Sequence, residues 1–107
     1  MHITRHGRER TVERVGVPKH SVDKMAQRAL ESGITHGETA GSLRRFLDAL
    51  YLSQRKSNNI RIYGMHVYLF ADLTLITVIM LPNEYKKAVN KIRNRQDDQG
   101  KTSTTNP

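Results

Sequence analysis

The chain contains no cysteine, which excludes a disulfide framework, a thiol nucleophile, thiolate-bound zinc and iron-sulfur clusters. Its stability must come from packing. No apolar run is long: the most hydrophobic stretch, Leu73 to Leu81, spans nine residues with two threonines, far below the roughly twenty that a membrane span requires. The N-terminus lacks the apolar core of a secretion signal, so a cytoplasmic protein of bacterial or phage type is expected. Acidic residues are scarce, 10 against 18 lysines and arginines, for a formal charge of +8 and a pI near 10.2. That balance favours polyanionic partners, nucleic acid foremost, although net charge also serves solubility alone. The serines lack a GxSxG setting, and neither HExxH nor a P-loop is present. No metal site and no cofactor are expected.

What is present fits one α+β domain over residues 1–95, followed by a polar stretch, 96–107, with no apolar anchor and an expected disordered state. Residues 1–5 suit a short edge strand. Residues 6–15 suit a helix, closed by Gly16 and Pro18 just beyond. Ser21 is a plausible cap for a helix over 22–32, where Val22, Met25, Ala26, Ala29 and Leu30 form a buried stripe that stops at Gly33. Residues 34–38 read as a linker. A second packed helix over 39–54 carries Leu43, Phe46, Leu47, Leu50 and Tyr51 on its core side. The polar and basic run Arg55-Lys56-Ser57-Asn58-Asn59 turns the chain out of it.

From Ile60 the apolar period changes to two, predicting strands at 60–63, 66–70 and 73–80 joined by tight turns at Gly64 and Asp72. The last strand is apolar on both faces and is expected at the sheet centre. Pro82 opens an amphipathic basic helix whose apolar stripe lacks Trp, Phe and Leu, the residues that insert best into lipid, so no membrane partner is expected. The sum is N-terminal helices packed on a three- or four-stranded antiparallel sheet, with a basic C-terminal helix.

Two constellations could carry chemistry. In the first, His6, Arg10 and Arg14 recur every four residues and share one helix face beside Arg5 and Arg8. Guanidinium forks suit phosphate oxygens, and imidazole can exchange protons during phosphodiester cleavage. The spacings of Arg5 with Glu9 and of Arg10 with Glu13 fit an exposed ion-pair ladder equally well. In the second, Arg61, Tyr63, His66 and Tyr68 lie on adjoining strands, where the rings could stack on bases and Arg61 could neutralise phosphate. The same pattern fits a half-exposed sheet face with ordinary tyrosine packing. Arg44 and Arg45 on the second packed helix, and Lys86 and Lys87 on the last, extend the candidate nucleic-acid-binding surface.

The arrangement of His6, Arg10, Glu13 and Arg14, written H-x3-R-x2-E-R, resembles small bacterial domains grouped with RelE/ParE-like and BrnT-like toxins. The likeness covers residues 2–16 by motif and roughly 60–80 by pattern, through a closing strand similar to Leu75-Ile76-Thr77-Val78-Ile79. It implies a compact α+β toxin-like fold and, for some relatives, metal-independent mRNA cleavage. By motif His6, Arg10, Glu13 and Arg14 carry over; with the imidazole of His66 from the sheet constellation as a second group able to handle protons, the candidate catalytic residues are His6, Arg10, Arg14 and His66. The chain departs from the pattern in its whole helix over 39–54 and in its lack of the tryptophan of the BrnT signature.

Two functions follow as expectations. One is a toxin-like protein directed at nucleic acid, RNA rather than DNA, with endoribonuclease activity as its enzymatic form and an antitoxin as a protein partner. The other is a non-enzymatic phage or mobile-element protein that binds and inhibits a host nucleic-acid machine, in the manner of anti-defence or anti-CRISPR factors.

Overall fold

The computed structural model describes residues 2–105, with side chains through residue 96. The chain enters through a two-residue strand, β1 (His2–Ile3), and turns at Thr4 into α1 (Arg5–Val15). Thr4 explains the turn. Its hydroxyl oxygen accepts the Gly7 N–H at 2.9 Å, the side-chain cap that a helix start requires, while its O–H is shared between the Leu75 and Ile76 carbonyls at 3.2 Å each. At the other end of α1, Gly16 takes a left-handed φ of 81°. A short 3-10 turn leads to α2 (Val22–Ser32), which buries Val22, Ala26 and Ala29.

Next come β2 (Ile34–Thr35), a tight turn at His36–Glu38, and α3 (Gly41–Ser53). Helix α3 starts two residues later than its apolar spacing predicts, because the buried Thr39 donates its hydroxyl back to the His36 carbonyl and closes that turn. Glu38 accepts the Thr35 N–H, and this hydrogen bond does most to hold its carboxyl below the ordinary range. Desolvation opposes the shift, while the Gln96 amide, the Thr35 hydroxyl and the Arg61 charge assist it. Gln96 thereby ties the last helix to this turn.

Three hairpin-linked strands follow, β3 (Asn59–Tyr63), β4 (His66–Ala71) and β5 (Thr74–Met80), then α4 (Lys86–Thr105). Gly64, with φ of 62°, opens the two-residue loop between β3 and β4, where a positive φ at the first position favours glycine. The second hairpin is held from outside: Asn58 exchanges hydrogen bonds with the Asp72 backbone N–H and carboxylate, and Asn59 donates to the Asp72 carbonyl. Helix α4 continues to Thr105 through the stretch expected to be a tail. The side-chain anchoring on which the disordered-tail expectation turned lies outside the described residues.

The domain is α+β, but the sheet differs from expectation. It has five strands in the order β1-β5-β4-β3-β2 and is mixed, since β1 runs parallel to β5 while the other neighbours are antiparallel. Of the two edge strands, β1 falls within the short edge strand expected over 1–5, whereas β2 lies in the segment read as a linker, where two residues are too few for any periodicity to reveal. The central place belongs to β4, buried from Val67 through Phe70, and not to the 73–80 strand. Helices cover both faces. Ala26 and Ala29 of α2 meet Tyr68, Phe70, Leu75 and Val78 on one side, while Leu43 and Leu47 of α3, with Val89 and Ile92 of α4, cover Ile60, Ile62, Val67 and Leu69 on the other.

Helix α1 has a special position: it lies along β5 where β1 has ended. Gly7 sits on the strand backbone there, and Arg14 donates to the Val78 carbonyl at 2.8 Å. At the far side of the sheet, beyond the two residues of β2, the Tyr51 hydroxyl accepts the Ile60 N–H at 3.1 Å. Opposite Leu69 and Phe70 the β5 register slips, pairing them with Thr77 and Leu75 and leaving Ile76 as a bulged residue.

Candidate nucleic-acid interface

Helix α1 resolves the ambiguity of its own sequence largely toward an ion-pair ladder. Arg5 meets Glu9 at 3.4 Å, Arg10 meets Glu13 at 2.8 Å, and Arg8 reaches across to Asp23 at 3.0 Å. Such exposed pairs contribute little to stability, but they leave these guanidinium groups partly neutralised. Arg14 has no carboxylate partner among the described residues and donates instead to the Val78 carbonyl. His6 is exposed on the first turn of the helix, two turns from Arg14.

His66 and Arg14 adjoin through the backbone. The His66 Nε2 lies 2.9 Å from the Arg14 carbonyl, which can only accept, so this nitrogen carries the proton. The four candidate catalytic residues therefore do not converge: Arg14 and His66 meet at the end of α1, Arg10 is engaged with Glu13, and His6 stands apart.

The sheet constellation is one face, as the alternation predicts: Arg61 pairs with Tyr68 and Tyr63 with His66. That face is covered. Arg61 lies under the end of α2, with its guanidinium on Asn59 at 3.1 Å and directed toward the Leu30 carbonyl. Tyr68 is fully buried in the core, with Tyr63 edge-on to it at a centroid distance of 6.4 Å. Tyr68 thus cannot offer its ring to a base, which corrects the stacking role expected of it; alternation reveals which residues share a face but not whether helices cover it.

Burial, with a smaller contribution from Tyr63, pushes the Tyr68 phenol up to about 12. Its hydroxyl has no hydrogen-bond partner among the described residues. Removing an unsatisfied buried hydroxyl should help the fold, so Tyr68→Phe is expected to stabilise the protein by about 1–3 kcal/mol. The pH dependence has a definite sign. Because the folded protein holds the phenol neutral beyond the ordinary value of 10.0, stability is full below that pH and falls as pH rises toward 12. Urea midpoints measured about one unit below and one unit above the ordinary tyrosine value should diverge in the wild type more than in Tyr68→Phe.

The other sheet face carries a different surface. Arg44 and Arg45 project from α3, Arg55 and Lys56 from the turn after it, and Lys87 from α4, with Lys86 half-buried beside it. None forms an ion pair with a described residue; Asp48, the carboxylate on α3, contacts His36 at 2.6 Å. That histidine, edge-on to Tyr51, ties the His36–Glu38 turn to α3, an arrangement invisible in a sequence where the partners stand twelve residues apart.

Arg55 and Lys56 were legible only as a basic turn; the signal that marks them is the absence of any acidic residue between Asp48 and Asp72. They border a half-open hollow of about 330 Å³, lined by the Ser53–Ser57 segment and by Leu69, Ile76 and Thr77 of the sheet. A larger hollow of about 560 Å³ beside α1 is lined by Arg5, Arg8 and Lys19, but Glu9 and Glu13 interleave with them and weaken its pull on anions.

Among the described residues, no group of three histidine or acidic side chains is placed to hold a metal ion, and no helix is long and apolar enough to cross a membrane. No family model matches the chain, and neither a curated protein nor a solved structure shows significant similarity to it.

Proposed function

We propose that this protein binds nucleic acid, RNA in preference to DNA, through the α3 surface, the turn that follows it and the start of α4. One observation carries the reading: the cations there have no carboxylate partners among the described residues, whereas most of those on α1 do. Unpaired guanidinium and ammonium groups on one layer are the electrostatic footprint of phosphate binding. The preference for RNA rests on the resemblance of the H-x3-R-x2-E-R stretch to toxin-like domains.

The dispersed histidines favour binding without cleavage, consistent with a protein that occupies or blocks a nucleic-acid machine. A ribonuclease reading draws on the approach of His66 to the Arg14 backbone, which places an imidazole beside an arginine at the end of α1.

One experiment separates these. Labelled RNA and DNA are titrated with the protein at several salt concentrations, and the products are examined for 2',3'-cyclic phosphate ends. Affinity should fall with salt. Each phosphate that Arg44→Glu/Arg45→Glu leaves unneutralised should reduce the slope of log K against log salt by about 0.7 for single strands or about 0.9 for duplex. Arg5→Glu, which removes an already paired cation, should change the slope less. Salt-independent binding would rule out the phosphate grip, and cyclic ends that disappear in His66→Ala would establish the ribonuclease.

A further inference from the structure

We propose that the cavity beneath the 53–57 turn receives one unpaired base of a single-stranded nucleic acid, while Arg55 and Lys56 neutralise the phosphates flanking that base. The inference rests on the nucleic-acid reading above and adds the strand class.

The hollow exists because of the β5 irregularity. The bulge at Ile76 breaks the regular pleat opposite Leu69 and Phe70, and the same Ile76, with Leu69 and Thr77, lines the cavity. Helix α3 ends at Ser53 and the chain turns away over this spot, so the turn forms a wall and leaves the hollow unfilled.

Its chemistry is divided in the way a nucleotide is divided. Ile76, half-buried, supplies apolar surface for the flat face of a heterocycle above the fully buried Leu69, and Thr77 places a hydroxyl within the lining. At the rim, Arg55 and Lys56 are exposed and form no ion pair with a described residue. The Ser53 hydroxyl donates to the Leu50 carbonyl at 3.3 Å, which leaves its oxygen lone pairs as acceptors at the mouth.

Access to an unpaired base sets the strand class. A volume of about 330 Å³ lies at the lower end of small-ligand sites and is enough to admit one ring system. In a duplex the bases are paired and stacked inside, so the cations could meet phosphates but nothing would enter the hollow. Single-stranded recognition uses unstacked bases together with a cationic track for the backbone.

The test compares three labelled probes by fluorescence anisotropy: a short single-stranded oligoribonucleotide, the same backbone carrying abasic sites throughout, and a duplex of equal length. DNA counterparts distinguish ribose from deoxyribose. Loss of the bases should weaken binding roughly ten-fold, although every phosphate is retained. The S53W variant, which places an indole over the cavity mouth from an exposed position, should weaken single-strand binding by a similar factor and leave duplex binding unchanged. Equal affinity for the normal and abasic strands would overturn the proposal, and this arm requires no variant to fold. If neither strand nor duplex binds at all, the nucleic-acid reading fails and the pocket assignment falls with it.

Discussion

Gly7→Val is expected to cost about 3 kcal/mol of stability or more, which for a domain near this size lowers the melting temperature by roughly 12–24 °C. Gly7 lies inside a helix, where exchange for a larger residue ordinarily gains helix propensity. Here the site is closed. A Cβ at Gly7 would sit 2.6 Å from the Leu75 carbonyl oxygen and 3.1 Å from the Ile76 carbonyl carbon and oxygen, all atoms of strand backbone that cannot rotate aside. Relief requires α1 to lift from β5, which would disturb the bonds of Thr4 to Leu75 and Ile76 and of Arg14 to Val78. Thermal unfolding followed by circular dichroism checks the result. A variant as stable as the wild type would mean that α1 does not rest on β5 in solution.

Phe70→Ala should destabilise by about 3–5 kcal/mol, a large share of the roughly 5–15 kcal/mol by which domains of this kind are stable. Phe70 is fully buried in central β4, among Tyr68, Leu75 and the α2 alanines, and small neighbours such as Ala26 and Ala29 have no side-chain reach to refill the space. Leu52→Ala provides the contrast. Leu52 is 77% exposed on α3, so its truncation should stay within about 0.5 kcal/mol. Urea midpoints for the two variants measure the difference, and a similar cost for both would contradict the assigned core.

The contrast between these residues also indicates what the sequence could and could not reveal. Long periodic segments were legible because burial imposes a repeat: the α2 stripe from Val22 through Ala29 and the Ile60/Ile62 alternation both face the core as their spacing requires. The short edge strand β1 was legible as extended chain, but its parallel pairing depends on a partner more than seventy residues away, and β2 has too few residues to repeat anything. The candidate interface was partly legible. Arg44, Arg45, Lys86 and Lys87 could be read from charge, but their lack of carboxylate partners among the described residues, against the pairing of Arg5, Arg8 and Arg10, follows from tertiary placement. The cavity could not be read at all, because a bulge is a property of register between two strands and leaves no mark on either alone.

The guarded margins of the sheet have a consequence for how the molecule meets others. An open strand edge invites a second chain to add itself by backbone hydrogen bonding, the route to β-augmentation and to edge-to-edge aggregation. In this fold α1 lies against one margin, with Arg14 holding the Val78 carbonyl, and Tyr51 occupies the Ile60 N–H near the other. Those backbone groups are already engaged within the chain. At those points recognition falls to side chains on the helical layers and the turns between them, where charge can discriminate among partners that a bare strand edge would accept alike.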